Sequence, residues 1–528
     1  MSCHSKNADV PKKGVFTKHF GWLIPLVALA GCKARKAQDR AQAGEPDTPV
    51  AEPSAGAGSG GPVADAGAAP NTMVAALRSS TPIFSRPEIP PREPSRAADD
   101  KNEVVQLGSL RKGQRVAATA TGRKGGHCSE GWFELASGGW VCARHVTMDF
   151  DAKELKDAPH APFVDRPLPY DYGLNLTNGT PMYRRPPLRR ERATYEKGLL
   201  VAGKTADDRV AAAREIAAEK GEAPWYLADE PQKGQVTLDQ LKGESALVET
   251  RMVRGFYVAI DQEVHAFAGK FWRTTRGSYI PFDHILVHQP KTEFEGVWVG
   301  HDDEPRKLPL AFLLRGSTRI GFSDAGQTPV RLDPIPRFTI VPITARRETF
   351  EGRGYFETTE RFFIREQDVT VARPAAPPSD LAAGEKWIDV NLTAETLVAY
   401  EGDKPIFATI ISSGRHDDED KSKDHRTPSG NFRIREKHIS TTMDDDSATD
   451  GPYSIEEVPW VMYFEKGIAL HGAFWHSSFG KEHSHGCINM MPEHARELFS
   501  WVGPKLPEGW HAVRATAENP GTRVVVHE

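Results

Sequence analysis

The chain has 528 residues, 39% of them hydrophobic, with a net charge of -5 and a pI near 6.5. That length exceeds what one compact core organises and predicts about three to four domains. The near-neutral balance excludes the bulk basic field of a nucleic-acid binder, so no nucleic acid is expected as a partner.

At the amino terminus, Lys12, Lys13 and Lys18 precede an apolar run from Phe20 to Ala30. The run is too short to span a bilayer and reads as the core of a secretory signal peptide. Its ending, Leu29-Ala30-Gly31-Cys32, resembles a bacterial lipobox. The resemblance implies that residues 1–31 are a lipoprotein signal peptide, that Cys32 carries lipid, and that the chain is exported and membrane-anchored, facing the periplasm. Lys33 stands where an aspartate is associated with inner-membrane retention, which favours the outer membrane. In an oxidising compartment the five cysteines take separate fates. Cys3 leaves with the signal, Cys32 is lipidated, Cys128 and Cys142 are candidates for a disulfide, and Cys487 remains as a candidate nucleophile.

Residues 32–100, rich in Ala, Gly, Pro and Ser, cannot bury enough surface to offset chain entropy and read as a disordered tether. From 101 to 150 apolar residues alternate between Gly-rich turns, a pattern of short strands and hairpins that looks like a bacterial SH3-type domain. Its closing phrase, Trp140 to Val146, is echoed at Tyr279 to Ile285 and at Phe363 to Val369, so the β-rich stretch 151–372 can hold further SH3-like modules. A helix is expected from Ala206, and the Pro-rich residues 373–384 read as a linker.

The last unit, 385–517, begins with alternating strands joined through Glu401-Gly402-Asp403. It continues through two acidic loops to the strand "VPWVMYFEKGIALHG" and ends in a short amphipathic helix with Pro492 near its start. Between strand and helix, "HGAFWHSSFGKEHSHGCINM" concentrates four histidines and Cys487. Three readings compete. A zinc site needs ligand spacings such as C-x-x-C or H-E-x-x-H, which are missing, so no metal or other cofactor is expected. A buried, inert cysteine is the second. A thiol enzyme is the third: it needs an imidazole on a rigid element to deprotonate the thiol, which His471 at a strand end can supply. Gly486 would let the N–H groups of His485, Gly486 and Cys487 converge on an oxyanion.

"IALHG", a gap and "SHGCINM", with "TPSGNF" upstream, resemble the signature of the YkuD-type L,D-transpeptidase catalytic domain. The resemblance implies Cys487 as nucleophile, His471 as general base, and His485 and Gly486 in the oxyanion loop. Ser484, Gly472, Asn489 and Trp460 are the expected substrate-binding residues. Gly472 stands where some members have serine and Asn489 where many have arginine, so a backbone carbonyl is expected to orient the His471 ring.

The implied activity is acyl transfer on peptidoglycan stem peptides through a Cys thioester with release of D-alanine. The acceptor is an amine of a second stem peptide, a free D-amino acid or a lysine-bearing outer-membrane protein. Water would make the same site an L,D-carboxypeptidase, and a catalytically weak cell-wall-binding lipoprotein is the alternative. The expected fold class is mainly β and multidomain, with small SH3-like β-barrels ahead of a β-rich L,D-transpeptidase fold bearing one or two short helices.

Overall fold

The computed structural model describes residues 72–90, 104–201, 203–227, 236–289, 296–299, 306–322, 328–421, 423–446 and 452–528. Cys32 and the expected signal peptide, residues 1–31, lie outside the described residues. Among the described residues no helix is long and apolar enough to cross a membrane.

Seven strands form the first module: β1 (Thr72–Ala76), β2 (Thr81–Phe84), β3 (Gln106–Leu110), β4 (Arg115–Ala120), β5 (Trp132–Leu135), β6 (Trp140–Cys142) and β7 (Val146–Thr147). β1 pairs with β4 and β7, β2 with β3 and β6, and β5 bridges β4 and β6. Two of these strands fall within the segment whose composition suggested a tether. Val74, Ala75, Ala76 and Ile83 are fully buried there, so a few well-placed apolar residues outweigh the surrounding Ala, Gly and Pro. A disulfide joins Cys128 to Cys142 across a Cα–Cα distance of 5.9 Å.

The same pairing recurs in β8 (Asp171–Asn175), β9 (Thr180–Tyr183), β10 (Val248–Met252), β11 (Tyr257–Ala266), β12 (Gly269–Thr274), β13 (Tyr279–Pro281) and β14 (Ile285–Val287). Here an insertion after β9 carries helices α1 (Arg189–Tyr195) and α2 (Ala206–Lys220), the latter capped by Thr205 and ended by Gly221 at φ 89°. The two-residue strand β15 (Val297–Trp298) follows. A third copy comprises β16 (Leu310–Leu313), β17 (Ser317–Phe322), β18 (Pro329–Ile335), β19 (Ile340–Phe350), β20 (Arg353–Thr358), β21 (Phe363–Arg365) and β22 (Val369–Ala372).

A 3-10 turn separates the last two strands of every copy and ends on a buried polar residue, His145, His284 or Asp368. Each meets the hydroxyl that opens the second strand. Thr81 donates to the His145 carbonyl at 3.5 Å, Thr180 lies 2.9 Å from His284 Nδ1, and Ser317 donates to Asp368 at 2.6 Å. In the second and third copies the hydroxyl satisfies the buried side chain, whereas in the first it reaches only the His145 backbone.

The C-terminal domain stacks two sheets. The first runs β15-β25-β24-β23-β32-β26, from β23 (Lys386–Asn391), β24 (Thr396–Glu401), β25 (Lys404–Ile410), β26 (Gly430–Arg433) and β32 (Arg523–His527). Because β32 lies between β23 and β26, the domain extends past the boundary at 517 that the sequence suggested. The second contains β27 (Glu436–Asp445), β28 (Tyr453–Glu465), β29 (Ile468–Gly472), β30 (Ile488–Met490) and β31 (Ala512–Arg514). Ile388, Val390 and Leu397 face Met462, Leu470 and Ile488 between the sheets. Helix α3 (Pro492–Trp501) closes this core with Ala495, Leu498 and Phe499.

The modules are built into this domain. β3 pairs with β31, and Trp510 and Val513 enter the first module's core. Tyr170, Tyr172 and Ala259 of the second module cover one face of β28 and β29, while Leu310 and Phe312 of the third pack beneath Trp387, Tyr400 and Ile410.

Candidate active site

β29 and β30 run parallel, with Leu470 opposite Ile488 and His471 opposite Asn489. Side chains alternate across a strand, so Leu470 and Ile488 point into the core between the sheets. One residue earlier on each strand, Ala469 and Cys487 belong to the opposite face, under the second module. His471 follows Ala469 by two and therefore shares that face with Cys487. Register sets the shared face, while Cys487 itself ends the loop that precedes β30, with its Sγ 3.8 Å from the Gly467 carbonyl oxygen.

His471 is buried, and its Nδ1 lies 3.1 Å from the carbonyl oxygen of Gly472. A carbonyl only accepts, so this contact places the proton on Nδ1 and leaves Nε2 as the basic nitrogen. Trp475 stacks on the imidazole at 5.7 Å between centroids. Burial pushes the His471 pKa down to about 4 and the Cys487 thiol up to about 11. Both shifts favour the neutral forms.

The loop before Cys487 is clamped from both sides. His483 and Ser484 N–H groups donate to the Ser413 carbonyl at 2.9 Å, and Ser412 exchanges two backbone hydrogen bonds with Asn489. Thr427, which opens "TPSGNF", accepts from Gly414 N–H at 2.9 Å and donates to the Gly486 carbonyl at 2.8 Å. Ser484 Oγ donates to the Cys487 carbonyl at 2.5 Å and accepts from Gly486 N–H at 3.1 Å. Gly486 holds φ at 114°, which its lack of a Cβ permits. Behind the clamp, buried Glu395 accepts the Ser413 N–H at 2.7 Å and the Ser413 hydroxyl.

Several expected roles change. The Gly486 N–H is committed to Ser484 and so drops out of the set of three oxyanion donors. Gly472 is packed against Pro459 and Pro492, where a Cβ would come within 3.0 Å of Pro492 Cα, so its small size serves packing and not substrate contact. Trp460 is buried between the sheet and Phe499, its indole N–H bonded to the Pro167 carbonyl at 2.5 Å, and takes no part in a cleft. Asn489 is also buried, its side-chain nitrogen 2.8 Å from His476 Nε2. His485 stacks on Tyr453 at 5.0 Å and its Nε2 accepts from Arg415 at 3.1 Å.

Arg415 and Tyr453 were not singled out as site residues by the sequence, and their relation to the loop is tertiary. The aromatic cluster around the histidines was the signal for Trp475.

Residues 385–526 match the family of the L,D-transpeptidase catalytic domain. YciB of Bacillus subtilis (strain 168), by its description a candidate L,D-transpeptidase, is 27% identical over 144 residues, which cover 24% of this chain and 65% of that protein. The chain therefore spans less than two thirds of that curated relative. Among solved structures, the catalytic domain of an E. faecium L,D-transpeptidase is 25% identical, over 27% of this chain and 98% of its own, with a TM-score of 0.21. L,D-transpeptidase 3 from Mycobacterium tuberculosis, with a faropenem-derived adduct, is 16% identical over 35% of this chain and 78% of its own, also at 0.21. The assignment rests on the family match and not on these overlays: residues 385–526 carry a YkuD-type L,D-transpeptidase catalytic domain.

Proposed function

We propose that the protein is a cell-wall L,D-transpeptidase, exported and anchored to a membrane through lipid on Cys32, the outer membrane being favoured. Its three seven-stranded modules are read as SH3-like barrels, on the strength of their identical strand pairing. The observation that carries the enzymatic reading is the shared face of Cys487 and His471, with the imidazole proton held on Nδ1 by Gly472.

In the first step Cys487 Sγ attacks the carbonyl carbon of the third stem-peptide residue as its proton passes to His471 Nε2. In this reading the Cys487 backbone N–H stabilises the oxyanion. Collapse breaks the amide bond to D-alanine, whose amine takes the proton from His471, and leaves a thioester. An acceptor amine then attacks the thioester, gives a proton to His471 and expels the sulfur, which recovers that proton. The thiol starts neutral, so base assistance from His471 is part of the attack.

The test is incubation of the full-length protein with a disaccharide tetrapeptide, beside Cys487→Ala, with products identified by mass. A dimer lacking one D-alanine, absent from the variant, is the expected product. Tripeptide alone would replace the reading with a carboxypeptidase, and an unchanged substrate would contradict it.

A further inference from the structure

Gly414 packs so closely on the loop of the nucleophile that a Cβ there would come within 2.8 Å of Gly486 Cα and 1.9 Å of the His425 carbonyl oxygen. That approach fixes the next residue, Arg415, beside the loop. Its N–H donates to the Ser484 carbonyl at 3.0 Å, and its carbonyl accepts from His425 N–H at 2.9 Å. Its half-buried side chain reaches His485, two residues before Cys487, with Nη2 3.1 Å from the ring Nε2. A guanidinium only donates, so His485 Nε2 carries no proton and the ring is neutral. Tyr453 stacks on this ring at 5.0 Å, and His425 meets it edge-on at 4.8 Å. Tyr453 in turn packs with Cys487 against one apolar cluster. Arg415 thus brings a permanent positive charge to the turn that ends in the thiol.

That charge has no counter-ion in the chain around it. The segment after Arg415 is strongly acidic, yet Asp418 pairs with His416 at 2.7 Å, Asp420 with Lys423 at 3.0 Å and Asp424 with Arg426 at 2.6 Å. Asp417 is turned onto the backbone N–H groups of Glu419 and Asp420. Among the described residues no carboxylate pairs with Arg415, and the contact with His485 uses one donor of its planar fork. The rest of the fork matches a carboxylate through two parallel hydrogen bonds.

We propose that Arg415 is a specificity-determining residue on the donor side, where its guanidinium receives a carboxylate of the peptide whose carbonyl Cys487 attacks. The proposal rests on the acyl-transfer reading above. In a tetrapeptide donor the attacked carbonyl is flanked by the terminal carboxylate of D-alanine and by the side-chain carboxylate of a diaminopimelate third residue, and both have the chemistry that the fork accepts. A carboxylate held there positions the donor against the loop before the thiol attacks, so Arg415 acts on the acylation step. His485 serves to aim the guanidinium.

The test follows acylation of Cys487 in the full-length protein by intact mass. The donors are a disaccharide tetrapeptide and two derivatives, one amidated at the terminal carboxyl and one at the side-chain carboxyl of the third residue. Wild type is expected to use at least one derivative with a kcat/KM lower by about ten- to a hundredfold, and the derivative that suffers names the carboxylate. Arg415→Gln removes the charge but keeps an N–H donor for His485, and in it the penalty of amidation disappears; Arg415→Lys retains part of it. Equal acylation of wild type by all three donors would overturn the proposal, as would an undiminished penalty in Arg415→Gln. A defect of Arg415→Gln confined to transfer from the thioester to an amine would place the residue on the acceptor side and overturn it too. No thioester from any donor in wild type would instead defeat the acyl-transfer reading. The pairing is tested without chemistry by calorimetry of the same donors with Cys487→Ala. Tighter binding of the unmodified donor, lost on adding Arg415→Gln, supports the proposal, and equal binding of all three donors contradicts it.

Discussion

Arg111, just past β3, and Glu457, within β28, form a two-pronged ion pair in the interior, Nη1 to Oε2 at 2.5 Å and Nη2 to Oε1 at 2.8 Å. Ser440 donates to the same carboxylate at 2.6 Å, and Tyr172 of the second module donates to the Glu457 carbonyl. Two modules and the catalytic domain meet at one buried charge. Burial pushes the Glu457 carboxyl up, but the Arg111 and Ser440 contacts outweigh it and hold the group below its ordinary value.

Arg111→Leu would leave that carboxylate unpaired and is expected to cost about 3–5 kcal/mol in denaturant unfolding. A folded-state carboxyl held low contributes stability above its unfolded pKa and loses it as pH falls through the folded value. The deficit of the variant therefore narrows in acid. A loss of only a few tenths would mean that the first module rides loosely on the domain. By the same geometry, deleting that module exposes Trp510 and the edge of β31, so turnover is expected to fall together with any sacculus binding.

The neighbouring Glu456 has the opposite sign. It is buried, accepts from Ala259 N–H at 3.2 Å, and is pushed up to about 7, chiefly by burial. A raised carboxyl makes the folded protein hold its proton longer, so stability is greatest below the unfolded pKa and declines as pH rises to the folded value. Glu456→Gln removes that decline. Relative to wild type, the variant should gain roughly 3 kcal/mol between about pH 4 and pH 8, read from unfolding midpoints. A pH-independent difference would show that Glu456 stays ionised.

The resting state of the reactive pair is open to a direct probe. Burial pushes the thiol up to about 11 and the imidazole down to about 4, so the account predicts a neutral thiol and a neutral imidazole at rest. Alkylation of Cys487 by iodoacetamide should accelerate steadily from about pH 6 to pH 10. A plateau established by about pH 6 would reveal a preformed ion pair.

Ser413 links Glu395 to the loop bearing Cys487 through its hydroxyl, N–H and carbonyl. Ser413→Ala should lower kcat by about ten- to a hundredfold, because small displacements of a nucleophile are costly. Ser413→Thr, which keeps the hydroxyl, should recover much of the rate, and KM should change little. Full activity in the alanine variant would show that the loop holds its place without Glu395.

The proposed reactive pair can be named from sequence because its candidate determinants are local: a strand ending in His471 and a Ser-His-Gly-Cys turn both stand in contiguous sequence. The echo of Trp140 to Val146 at Tyr279 and Phe363 was legible for the same reason, and all three stretches form a strand, a 3-10 turn and a strand. What was hidden depends on distance in sequence. β1 and β2 are short and lie in Ala- and Pro-rich surroundings, and the second module is interrupted between Tyr183 and Val248. Trp460 looks like a cleft residue from its position near the histidines, but Pro167, remote in sequence, holds its indole in the interior.

The central claim, that Cys487 carries the acyl group, is tested most directly by the intact mass of the full-length protein after brief exposure to a disaccharide tetrapeptide. The account predicts an adduct equal to the donor less D-alanine, mapped to Cys487 and absent from Cys487→Ala. D-alanine release that persists in Cys487→Ala, or an adduct on another residue, would contradict it.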